Sequence, residues 1–105
     1  MTLSVFQEEI PNSQYKTVAD SQTTQAIGAT GAIGDYLAGV LVIPATTAPG
    51  VVTVLDNAIT IVAFPGGTLP SVIPFFIPLS IKSVSGAWKI TTGANVSVVA
   101  VGKFT

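Results

Sequence analysis

Few side chains in this sequence can take, give or hold something. It contains no histidine and no cysteine, which removes the Ser-His-Asp and Cys-His arrangements of nucleophilic catalysis and the usual zinc ligands. Five carboxylates remain, Glu8, Glu9, Asp20, Asp35 and Asp56, and a glycosidase-like acid–base pair would have to come from them. Glu8 and Glu9 are adjacent, so an extended chain sends them to opposite sides. Asp35 and Asp56 fall at expected turns, where aspartate steadies the local backbone. A calcium loop would need the D-x-D-x-D-G spacing, which Asp56-Asn57 does not continue. These residue types predict neither an enzyme nor a metal or organic cofactor.

Three further patterns resemble sites. Gly28-Ala29-Thr30-Gly31-Ala32-Ile33-Gly34 has the spacing G-x-x-G-x-x-G, where a dinucleotide fingerprint needs G-x-G-x-x-G opening a helix. Glycines supplying turns or bulges between strands explain it better. Asn95-Val96-Ser97 fits the N-glycosylation triplet, which arises often by chance, and nothing else marks a secreted eukaryotic chain. The basic residues Lys16, Lys82, Lys89 and Lys103 are scattered, and arginine is absent. No basic stripe is available to displace counterions from a nucleic acid, and the bidentate donor of phosphate and guanine contacts is missing. Nucleic-acid binding is not expected.

The elements that must position these residues read as strands. Val, Ile and Thr recur throughout, Gly, Pro, Asn and Asp punctuate at short intervals, and no long amphipathic helix is written into the chain. Met1 to Asp20 is the most polar stretch. It reads as an arm or first strand, with strand character around Gln14 to Val18, while 21–105 forms one β-sandwich domain. Its acidic Glu8-Glu9 and its lack of a basic, then apolar, start argue against a secretory signal peptide. Gln22 to Thr30 suits a polar or edge strand. Tyr36 to Ile43, nearly all apolar, suits a strand covered on both faces and ended by Pro44. Val51 to Leu55 and Ala58 to Phe64 flank Asp56-Asn57 as a tight hairpin. Ala87 to Thr92 directs Trp88 and Ile90 inward. Val96 to Phe104 alternates Val96, Val98 and Ala100 against Ser97, Val99 and Val101. The fold class expected is all-β: a single antiparallel sandwich of about eight strands, jelly-roll-like, with an open sandwich or small barrel as alternatives.

The uncharged run from Asn57 to Ile81 raises the question of a membrane span. Pro65, Pro70, Pro74 and Pro78 would break such a helix repeatedly, so no membrane partner is expected. Within it, Phe75, Ile77, Leu79 and Ile81 fall on one face of a strand and Pro74, Phe76, Pro78 and Ser80 on the other. The prolines mark an edge strand or an irregular one. With Phe75 and the others inward, the Pro74, Phe76, Pro78 ridge becomes the candidate subunit contact. Composition favours such contacts: hydrophobic residues make up 49% and charged residues 9% of the 105-residue chain, against about 25% charged in an ordinary soluble domain. Apolar patches left by so few charges usually mark association sites. A homo-oligomer is expected.

A block of the second half carries a family resemblance. Pro74-Phe75-Phe76-Ile77-Pro78-Leu79, Ile81 through Lys89 and Thr92 through Val98, together with Tyr36 through Pro44 and Gly50 upstream, are similar to small virion proteins of tailed bacteriophages. The resemblance covers about two-thirds of the chain. It implies a trimeric β-sandwich subunit in the virion, assembled in the host cytoplasm, of the capsid decoration (cement) kind. The major capsid protein would be its partner, and the N-terminal arm would lie along neighbouring capsid subunits. The competing expectation is a head-fibre or tail recognition module that binds a host surface glycan. Such a module would need exposed aromatic residues, of which the sequence offers few.

Overall fold

The computed structural model describes residues 13–105. Of the expected arm, residues 1–12 lie outside the described residues, and Gln14–Val18 is a strand of the sandwich itself. The chain forms β1 (Gln14–Val18), β2 (Gln25–Ala26), β3 (Tyr36–Pro44), β4 (Val52–Asp56), β5 (Ile59–Phe64), β6 (Phe75–Lys82), β7 (Trp88–Thr92) and β8 (Val96–Lys103). Two four-stranded sheets run in the orders β1-β8-β3-β6 and β2-β7-β4-β5, with every pair antiparallel. The pairings nest. β4 pairs with β5, β3 with β6, β2 with β7 and β1 with β8, as in one long antiparallel ribbon turning at the β4–β5 hairpin. The β3–β8 and β4–β7 ladders join that ribbon to itself within each sheet.

Period-two alternation builds the core between the sheets. Leu37, Val40 and Val42 of β3, Val52 and Val54 of β4, Trp88 and Ile90 of β7, and Val96, Val98 and Ala100 of β8 are all buried and form one cluster. Each fully buried large side chain stabilises the fold by about 1.5–3 kcal/mol relative to exposure. Trp88 also satisfies its polar atom: Nε1–H donates to the Asp35 carbonyl at 2.9 Å.

Several boundaries differ from the sequence reading, each for a local reason. β3 extends through Pro44, which ends the strand opposite Val96, a terminal place where a proline is tolerated. Its two faces are unequal. Leu37, Val40 and Val42 are fully buried, whereas Tyr36, Leu41 and Ile43 on the other face are half-buried. The stretch Gln22 to Thr30 shrinks to the two residues of β2, an edge strand, because Ser21 and Thr24 adopt positive φ (58° and 42°) and kink the chain before it. In the β4–β5 hairpin Asp56 pairs with Ile59, so the turn residues are Asn57-Ala58. Asn57 takes φ 58°, which asparagine tolerates better than most residues. Ile81 stays on the inner side, opposite the buried Leu37, but at the end of the edge strand it is 38% exposed.

Candidate contact surface

Two aspartates, Asp35 and Asp56, lie inside the sandwich. Both are buried, at 4% for Asp35 and 3% for Asp56, and both are occupied. The Asp56 carboxylate accepts the backbone N–H of Val84 at 2.9 Å, Ser85 at 3.2 Å and Gly86 at 3.3 Å. Asp35 Oδ2 accepts the N–H of Thr105 at 3.2 Å and its hydroxyl at 3.3 Å. The Asp35 carbonyl takes Ser83 N–H at 2.9 Å besides the Trp88 indole. The aspartates do steady backbone, but it is backbone 28 to 70 residues away rather than their own turns. Among the described residues no three His, Cys, Asp or Glu side chains gather as a metal-binding group. Gly31 and Gly34 adopt positive φ, 75° and 93°, and lead into β3 rather than a helix, so the glycine-rich stretch is a strand connection.

The Pro74, Phe76, Pro78 ridge lies where the alternation puts it. β6 is the edge strand of its sheet. Phe75, Ile77 and Leu79 pack against the core, while Pro74, Phe76 and Pro78 are exposed. Phe76 stands opposite Leu41, and Pro78 opposite Gly39. A β-carbon on Gly39 would run into the Phe76 ring and the Ile77 carbonyl oxygen. The ring therefore lies across β3 in a seat that only glycine leaves open. Part of Phe76 is covered by its own chain, and 47% stays exposed. The seat is a pairing between residues far apart in sequence, so the residue spacing carried no signal of it.

Around the ridge the outer face of this sheet is apolar. Val99 and Val101 of β8 and Leu41 and Ile43 of β3 point the same way as Phe76 and are half-buried. Tyr15 of β1, opposite Val101, is 70% exposed at the far edge. Lys82 and Lys103, which both pair with Tyr36, place charge at one end of this face. A shallow cleft of about 390 Å³ opens elsewhere, lined by Ala19, Asp20, Ala45, Asn95, Val96 and Ser97. Its one ionisable side chain is Asp20, and it contains no aromatic platform for a sugar or base. No helix among the described residues is long and apolar enough to cross a membrane. Comparison with protein-family models, curated proteins and solved structures finds no match to this chain.

Proposed function

We propose that this chain is a structural virion protein of a tailed bacteriophage. It decorates the capsid and stabilises it by binding between major capsid subunits, and it works as a homo-oligomer. The observation that carries the reading is the apolar outer face bearing Pro74, Phe76 and Pro78, in a domain whose buried carboxylates are spent on backbone hydrogen bonds. A surface of this kind serves association rather than turnover. The nested pairing of eight strands supports the jelly-roll form of the sandwich, an architecture used by viral capsid domains. The trimer rests on the family resemblance, and closed rotational symmetry is what keeps apolar patches from polymerising.

The test is binding to purified heads of the encoding phage that lack the protein. The reading expects many copies spread over the head lattice and a gain in head stability on binding. A few copies at the tail, with heads left bare, would instead favour the second reading, a glycan-recognition module. That alternative draws on Tyr15 and Phe76, both exposed aromatics on one face of one sheet.

A further inference from the structure

The two long sides of the sandwich are finished differently. Along the side formed by β1 and β2 the core is sealed: Val18 is 1%, Ile27 4% and Phe104 8% exposed. Along the side formed by β5 and β6 it is open. Val62, Phe64, Phe75, Ile77 and Leu79 pack on the core, yet each keeps part of its surface in solvent. Phe64 and Phe75 meet edge-to-face there, with ring centres 5.2 Å apart and planes at 63°, and so join the two sheets. The exterior of the same side is apolar as well. Of ten exposed large hydrophobic side chains among the described residues, six (Ile59, Ile61, Val72, Ile73, Phe76 and Ile81) belong to β5, β6 or the segment between them. No charged residue occurs from Asn57 to Ile81.

We propose that the β5–β6 side is the interface between copies of this chain, and that a second copy completes the core. This rests on the self-association inferred above and names the surface responsible. Area is the first argument. With roughly 150–200 Å² on a fully exposed side chain of this size, the exposed fractions of those six residues amount to about 500 Å². A specific interface needs about 800 Å² from each partner. The exposed Pro70, Pro74 and Pro78 and the part-exposed inner side chains add to the exposed area.

The second argument is kind. Permanent interfaces between identical subunits resemble a domain core cut in half, and an open core seam is such a cut. A charge-free surface has no electrostatic complementarity to offer a different partner, but it matches another copy of itself. The sheet edges agree. β1 carries Lys16 on the same side of the strand as Val18, β2 is two residues long, and β6 contains Pro78. These are the usual protections against edge pairing. β5, six residues reading ITIVAF, has neither charge nor proline, although a register shift opposite Val54 and Leu55 interrupts its ladder.

Sedimentation velocity at micromolar protomer tests the proposal with Ile61→Glu/Ile73→Glu against Ile33→Glu/Val84→Glu. The second pair is more exposed, at 66% and 76% against 39% and 64%, and belongs to the loops before β3 and after β6. The expected result is a closed oligomer for the wild type and the control, and a smaller species with β-type circular dichroism for the β5–β6 variant. A wild type that sediments as a folded monomer would overturn self-association altogether. An oligomer that survives in the β5–β6 variant, or one that Tyr15→Glu disrupts instead, would overturn this surface alone. If the double variant fails to fold, a nitroxide at Ile73→Cys in the otherwise cysteine-free chain decides. An immobilised spectrum supports the interface, and a spectrum as mobile as that of Ile33→Cys refutes it.

Discussion

Replacing Asp56 with asparagine keeps the size of the side chain, removes its charge and turns an amide NH2 toward a cluster of N–H donors. The carboxylate holds three backbone groups, Val84, Ser85 and Gly86, at 2.9 to 3.3 Å. A hydrogen bond to a charged acceptor contributes about 1.5–3 kcal/mol net, but the three will not be lost equally. Val84 is 76% exposed, so its N–H can turn to water. Gly86 is buried, and its N–H would be stranded. The loss should therefore come to one or two bonds, about 3 kcal/mol. For a domain of this size that lowers Tm by about 12–24 °C. The assay is thermal and urea unfolding followed by Trp88 fluorescence, at one fixed protomer concentration because association shifts apparent stability. Asp20→Asn, at an exposed position, is the control. Hydrogen exchange should show faster amides at Ser85 and Gly86 in the variant. A stability for Asp56→Asn within about 0.5 kcal/mol of the control would refute the assignment of Asp56 as the tie that closes this loop.

Other perturbations probe the ridge and its seat. Phe76→Ser should cost about 1 kcal/mol, since part of the ring is already in solvent, whereas Ile77→Ser on the inner face should cost about 2–4 kcal/mol. Equal losses in urea titrations would make Phe76 ordinary core. Gly39→Ala drives a methyl group into the Phe76 ring and the Ile77 carbonyl, and about 1–3 kcal/mol of overpacking is expected in thermal melts. An unchanged Tm would mean that the ring is not seated on β3. Ser80→Gly should leave stability unchanged or raise it by up to about 1 kcal/mol, because φ 57° is strained for serine and not for glycine. A clear loss would show that the serine side chain has a role in holding this backbone conformation.

Most of the fold was legible because strand alternation is local. Trp88 and Ile90 inward, Val96, Val98 and Ala100 inward, and Phe76 opposed to Phe75 and Ile77 all follow from period two. The readings that failed were those requiring a partner strand. β3 looked covered on both faces because its outer residues are apolar too, and sequence does not distinguish a covered apolar face from one left half-open. The aspartates look like local turn residues in the sequence. Their actual partners, at 84–86 and 105, are brought near only by the sandwich. The candidate surface was half visible: Pro74, Phe76 and Pro78 follow from alternation, while the Gly39 seat and the open β5–β6 seam depend on which strands end at the edges. The signal for the seam is the charge-free run from Asn57 to Ile81.

That run also changes the meaning of the low charge content. The charged side chains of the described residues are sorted rather than diluted. Asp35 and Asp56 are internal. Lys16 is on β1, Asp20 follows it, Lys89 is on β7 and Lys103 on β8, so the half of the sandwich around β1, β8 and β7 carries most of the surface charge. β6 contributes Lys82 at its last residue, and β5 contributes none. The few surface charges are thus concentrated on one half of the sandwich, and the β5–β6 side carries only Lys82 at its end. Charge spread evenly at that density would leave small apolar patches everywhere and invite association in every direction. In the proposed assembly the charge-poor side is the direction in which copies meet, and one such direction per copy is the condition for a closed assembly instead of an aggregate.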